Sequence, residues 1–307
     1  MKKQHVQGLM AAPFTPMNRN GSLNLAIVPQ YYKMLKTNGV NGAFICGSTG
    51  EGVSLTLKEK KAVTDAWASA ADSDFKVMLF LGGTCLEDCK ELALYAKQSG
   101  LFAISFTAPF YFKPDSAETL SEMCAEVAAV VPDMPFYYYH IPVLTGVRLS
   151  MFDLLHEAEG RIDNFAGIKY THEDFMDFLS CANFKNGKYD MLWGRDECML
   201  AALSLGTKGV VGSTYNYAPL IYNEMIKAFN AGDIQKANDW QQKSIDMIRL
   251  LGKYGGIASG KSFMKLIGLD CGEFRLPIKN MSAEQFDLFK KDAEQIDFHS
   301  FASKHYD

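Results

Sequence analysis

The 307-residue chain carries 31 Lys+Arg against 35 Asp+Glu, for a net charge of -4, and is 48% hydrophobic and 21% charged. That is an ordinary folded composition, which excludes disordered and collagen-like classes; a mildly acidic chain without basic clusters also suits neither nucleic acid nor an anionic membrane. No run approaches the ~18 apolar residues a membrane-spanning helix needs, and Met1-Lys2-Lys3-Gln4-His5 leads into Pro13 and Pro16 rather than the apolar core of a signal peptide.

Eight short β-rich runs follow one another, at 7–12, 42–46, 76–81, 103–107, 135–140, 166–170, 190–193 and 209–212. Most are continuous apolar stretches, such as Val77-Met78-Leu79-Phe80-Leu81, the pattern of parallel strands buried on both faces. Helical patterns fill the gaps. Thr56-x-x-Glu59 and Thr84-x-x-Glu87 read as capping boxes. The helix after Thr84 lines up Leu92, Tyr95 and Ala96 on one face and stops at Gly100. Asp115-Ser116 opens a further helix that ends before Pro132. Beyond the eighth strand, 219–231, 233–254, 261–269 and 282–296 fit helices, the last with a Ser282-x-x-Gln285 box.

Eight βα units in succession point to a closed (β/α)8 TIM barrel with a C-terminal helical extension, an open doubly wound sheet being the alternative. The expectation is one catalytic domain over 1–307, with the barrel taking about 1–230 and the extension about 231–307. One extension helix should close the outer ring and the others form a cap or a subunit contact. Seven cysteines (Cys46, Cys85, Cys89, Cys124, Cys181, Cys198, Cys271) are an odd number scattered through apolar patterns, as expected of buried thiols in a reducing cytoplasm. Cys85 and Cys89 have the spacing of one helix face, but no second Cys/His pair completes a zinc site.

In a barrel, chemistry sits at the carboxyl ends of the strands. Lys169 is the sharpest signal there, because it terminates the apolar Phe165-Ala166-Gly167-Ile168. Burial disfavours an ammonium, so the amine is freed as a nucleophile suited to Schiff-base chemistry on a carbonyl. Most lysines are simply solvated; it is the position that sets this one apart. Gly47-Ser48-Thr49-Gly50-Glu51-Gly52 offers amides and two hydroxyls to a carboxylate or phosphate, but lacks the Gly-Lys-Ser/Thr ending of a nucleotide P-loop. A tight βα turn alone would also call for those glycines. Tyr139, last of Tyr137-Tyr138-Tyr139, is placed to bring a phenol beside Lys169 as a proton shuttle, although tyrosines are also ordinary strand formers. His140 invites a role as base, yet a strand-end histidine is more often structural. Asp196 and Glu197 read either as first-turn helix acids or as acceptors for a polyhydroxylated ligand. Without partnering histidines they make no convincing metal site.

Taken together, Gly47-Ser48-Thr49-Gly50-Glu51, Tyr139-x-Ile141-Pro142, Gly167-Ile168-Lys169 and Gly212-Ser213-Thr214-Tyr215-Asn216 resemble the N-acetylneuraminate lyase family, within the pyruvate-dependent class I aldolases that include dihydrodipicolinate synthase. The resemblance runs from about residue 8 to residue 277. Leu144 falls where the synthases usually carry an arginine, Thr171 supplies a hydroxyl two residues past the lysine, and Gly194-Arg195-Asp196-Glu197 matches the lyase pattern.

The resemblance implies reversible cleavage of N-acetylneuraminate to N-acetylmannosamine and pyruvate, with no cofactor. Lys169 would form the imine and Tyr139 relay the C4 hydroxyl proton. Ser48 and Thr49 would bind the carboxylate, and Thr171, Gly194, Asp196, Glu197 and Ser213 the sugar chain. Tyr111 would reach a neighbouring subunit's site in a cytoplasmic homotetramer. The rival readings are another pyruvate aldolase (dihydrodipicolinate synthase, or a sugar-acid lyase or dehydratase), a phosphate-ligand enzyme, and a non-catalytic binder of sialic acid or pyruvate.

Overall fold

A computed structural model describes residues 5–304; Met1–Gln4 of the charged N-terminal run lie outside the described residues. The strands are β1 (Gly8–Ala11), β2 (Val40–Ile45), β3 (Lys76–Gly82), β4 (Ala103–Phe106), β5 (Phe136–His140), β6 (Phe165–Tyr170), β7 (Asp190–Trp193) and β8 (Gly209–Gly212). They pair in parallel in chain order, and β8 returns to β1, so the sheet closes into a barrel. The doubly wound alternative is thereby excluded.

Helices α1 (Val28–Thr37), α2 (Leu57–Ala70), α3 (Leu86–Gln98), α4 (Ala117–Ala129), the single turn α5 (Pro142–Thr145), α6 (Met151–Ala158), α7 (Phe175–Asn183), α8 (Met199–Ser204) and α9 (Pro219–Asn230) surround it. The extension adds α10 (Ile234–Lys253), α11 (Ala258–Leu266) and α12 (Ala283–Gln295). Among the described residues no helix is long and apolar enough to cross a membrane.

Local chemistry sets most boundaries. The Thr56 hydroxyl accepts from the Glu59 amide while the Glu59 carboxylate accepts from the Thr56 amide, and Ser282 and Gln285 repeat the exchange at α12. The Thr84 box does not form. Cys85 takes the extended N-cap position of α3 with no side-chain cap, leaving Thr84 outside the helix. The cause lies just upstream, where Gly83 presses so closely on β4's exit that a Cβ would fall 2.2 Å from Thr107 O. This start also separates the two nearby thiols, since Cys85 is exposed and Cys89 buried. The buried-thiol expectation thus fails at Cys85, and Cys198 is only partly covered.

Strand alternation divides the core in two. Met10, Phe44, Met78, Phe80, Tyr137, Tyr139, Leu192 and Val211 fill the barrel interior. Tyr138, Ile168, Tyr170 and Trp193 face the helices instead. At the amino-terminal end the Tyr137 hydroxyl donates to Asp190 Oδ2 at 3.0 Å. That leaves Tyr139 two residues further on, at the open end.

Candidate active site

Strand register brings the two central groups together: Tyr139 of β5 pairs directly with Lys169 of β6. Both point inward. Lys169 Nζ lies 3.9 Å from the centre of the Tyr139 ring and 4.0 Å from that of Phe44. Burial pushes the Lys169 amine below its usual range, the neighbouring Tyr139 and, more weakly, Asp196 acting the other way. Ring faces attract an ammonium but hydrate it far less than water, so a deprotonated, nucleophilic amine becomes accessible. Tyr139 is fixed edge-on against Phe44 and Phe80, and its carbonyl accepts from the Thr107 hydroxyl at 2.8 Å.

Lys169 opens into a cavity of about 190 Å³ lined by Thr49, Tyr139, Thr171, Gly194, Asp196, Glu197 and Ser213, among others. Eight of the ten sequence candidates therefore share one cavity. Ser48 is partly buried in the adjoining turn and does not line it. Tyr111 is 78% exposed and stacks edge-on with Phe112. His140 faces outward against Tyr170 and His172, which removes it from the chemistry at Lys169.

Three polar atoms around this cavity, Thr171 Oγ1, Arg195 Nε and Asp196 Oδ1, are buried with no protein hydrogen bond among the described residues. Such atoms are costly unless a polar ligand completes them. Asp196 is half tied: its Oδ2 accepts from the Thr214 hydroxyl at 2.6 Å and the Thr214 amide at 3.1 Å, leaving Oδ1 over. Burial raises its pKa to about 6, with the Thr214 hydroxyl opposing and nearby Glu197 adding to the rise. Glycine is required beside it, because a Cβ on Gly212 would stand 2.0 Å from Asp196 Oδ1. A larger cavity of about 590 Å³ lies between the β1 exit and the extension, but none of the partnerless buried atoms lines it.

The turn after β2 is held from a distance. Glu51, in left-handed conformation at φ 57°, accepts from Lys261 Nζ of α11 at 3.2 Å and from the Arg275 amide at 2.8 Å. The Thr15 hydroxyl donates to Gly50 O at 2.6 Å. Within the turn the Glu51 and Gly52 amides donate to Ser48 O and Gly47 O, while those of Ser48 and Thr49 have no acceptor among the described residues and can serve an anion. Among the described residues no group of three or more His, Cys, Asp or Glu could hold a metal ion.

Sequence reasoning missed the Glu51–Lys261 clamp, and assigned no role to Arg195 or Thr214. A lysine set in Ala258-Ser259-Gly260-Lys261-Ser262-Phe263 was the available signal for the first. Ile248 and Leu251 of α10, which also line the cavity, carried none.

The profile of the dihydrodipicolinate synthetase family matches residues 5–296. The chain belongs to the dihydrodipicolinate synthetase family. Within this family it is 38% identical to the human N-acetylneuraminate lyase over 306 residues, covering 97% of this chain and 95% of that one. The N-acetylneuraminate lyase structure from Proteus mirabilis superposes with a TM-score of 0.93 at 37% identity, covering 96% of this chain and all of the other. That from Aliivibrio salmonicida also reaches 0.93, at 36% identity, covering 96% and 98%. The family's members of this branch are lyases, and the chain is an enzyme of the same class I aldolase type.

Proposed function

We propose that the protein is an N-acetylneuraminate lyase, cleaving N-acetylneuraminate reversibly to N-acetylmannosamine and pyruvate. The observation that carries this reading is the in-register pair Tyr139 and Lys169 at the mouth of the barrel, on a chain whose relatives act as such lyases. The neutral Lys169 amine attacks the C2 carbonyl of the open-chain sugar acid, and loss of water leaves a protonated imine. Tyr139 takes the C4 hydroxyl proton with help from the substrate carboxylate and Ser48/Thr49. The C3–C4 bond then breaks, its electrons flow into the imine, and an enamine results instead of a bare carbanion. Protonation of the enamine and hydrolysis release pyruvate and restore the amine.

The amides and hydroxyls of Ser48 and Thr49 hold the carboxylate. Thr171, Gly194, Asp196, Glu197 and Ser213 face the sugar chain, and the partnerless Thr171 and Asp196 oxygens suit its hydroxyls. Leu144, exposed where a synthase would place an arginine for a second carboxylate, favours this substrate over aspartate semialdehyde. The exposed run Phe110-Tyr111-Phe112, with Val143 and Leu144, supports a subunit contact through which Tyr111 enters a neighbouring site of a cytoplasmic homotetramer.

Borohydride with pyruvate tests the core of the proposal. The expected product is a covalent adduct on Lys169, located by peptide mass spectrometry. No adduct, or one on another lysine, overturns the mechanism and favours a non-catalytic binder. Offering N-acetylmannosamine and aspartate semialdehyde with pyruvate then separates the lyase from the synthase.

A further inference from the structure

Each catalytic strand residue has a neighbour that faces the other way. One step beyond Tyr139 and Lys169, His140 and Tyr170 pair across the same strands and point outward. There they line a second cavity, of about 340 Å³, between the barrel wall and helices α6 and α7. Its volume falls in the range of small-molecule pockets.

The walls have a definite chemistry. Phe152, Tyr170, His172 and His140 supply ring surfaces, with Met176 at the rim 79% exposed. His140 is 2% exposed, and its Nδ1 has no partner among the described residues. Burial and the nearby His172 lower its pKa to about 4, the Asp177 and Asp174 carboxylates opposing, so the ring is neutral at ordinary pH. The acids of the cavity are already engaged. Asp177 accepts from the Tyr170 hydroxyl at 2.9 Å and the Ser150 hydroxyl at 3.0 Å, while Asp174 caps α7 through the Asp177 amide. Arg148 alone brings a full positive charge with no ion pair among the described residues. An exposed cation in the lining of a ring-walled cavity, beside a buried histidine short of one partner and with both acids held by internal donors, suits a carboxylate attached to a flat apolar body.

A chain of side chains joins this cavity to the barrel mouth. His172 Nδ1 lies 3.6 Å from Glu173 Oε2, Glu173 pairs with Arg195, and Arg195 Nη2 lies 3.1 Å from Glu197 Oε1. His172 lines the outer cavity, whereas Arg195 and Glu197 line the inner one.

We propose that the cavity behind β5 and β6 is a second ligand site, taking a small carboxylate with a flat apolar body, and that its occupancy alters the sugar end of the catalytic cavity through Glu173. The coupling rests on the lyase reading of Glu197; the binding does not. By reciprocity, whatever its ligand does to sugar affinity, sugar does to its ligand.

Benzoate is the probe. Titrated into the full-length protein by calorimetry, it should bind equally with and without saturating pyruvate, and Arg148→Ala should weaken it about tenfold, the loss of one charge-assisted contact. Arg148 is exposed and has no hydrogen bond or ion pair among the described residues, so the substitution should leave the fold intact, which an unchanged Tm checks. No binding, binding unchanged by Arg148→Ala, or displacement by pyruvate each refutes the site. For the coupling, saturating benzoate should shift the KM for N-acetylneuraminate while leaving borohydride trapping of pyruvate unchanged, and Glu173→Gln should abolish the shift but keep binding. An unmoved KM refutes the coupling. Failure to trap pyruvate at all refutes the lyase reading and leaves the calorimetric result standing.

Discussion

Lys261→Met removes the cation that holds the turn after β2. The Lys261 and Glu51 side chains are 3% and 2% exposed and 3.2 Å apart, so the lysine's loss strands a carboxylate in the interior. Breaking a buried pair from one side costs about 3–5 kcal/mol. The lower end applies here, because the Arg275 amide still donates to the same carboxylate at 2.8 Å. For a chain of this size that lower end is a fall in Tm of roughly 5 °C. Glu51→Gln removes the stranded charge, so the double variant should be more stable than the two single penalties predict, by about 1 kcal/mol or more. Denaturant unfolding of the four proteins measures this, and the pyruvate concentration dependence of borohydride trapping measures the turn. The expected functional result is weaker pyruvate binding with little change in the limiting trapping rate. Strictly additive penalties, or a Lys261→Met cost within about 0.5 kcal/mol, would refute the clamp.

Tyr139→Phe should keep pyruvate trapping but lower kcat about 10²- to 10⁴-fold, the usual worth of a positioned proton-transfer group; lost trapping would assign Tyr139 to imine formation instead. The KM for N-acetylneuraminate should rise as pH falls through about 6, because protonating Asp196 ends the acceptor role of Oδ1. Asp196→Asn should flatten that profile, and a flat wild-type profile contradicts the assignment. Gly194→Ala places a Cβ 2.0 Å from Thr171 Oγ1 and should raise the KM for the sugar while sparing pyruvate trapping. An unaltered sugar KM would remove Thr171 from the subsite.

Much of the architecture was legible because parallel strands announce themselves as unbroken apolar runs. Strands β7 and β8 fall at the expected residues, and the other six agree to within two. Lys169 was legible for the same reason: a charge ending an apolar strand has few structural explanations. What escaped depended on contacts remote in sequence. Nothing near Glu51 announces a partner 210 residues away, and nothing in Gly212 reveals that Asp196 occupies the space of its missing side chain. The Thr84 box failed differently. Its spacing is correct, but the close approach of Gly83 to β4 moved the helix start beyond it. His140 shows the remaining limit, since only strand alternation in three dimensions tells which strand-end residue faces inward.

The clamp on Glu51 also fixes an order of events during synthesis. All eight strands, with Lys169 and Tyr139, precede Lys261 and Arg275 in the chain. A ribosome can therefore complete the barrel while the turn proposed to seat pyruvate still lacks its distant support. The reactive amine comes first and its anion seat is finished last, so an unfinished chain holds a nucleophile with little means of retaining a keto acid beside it.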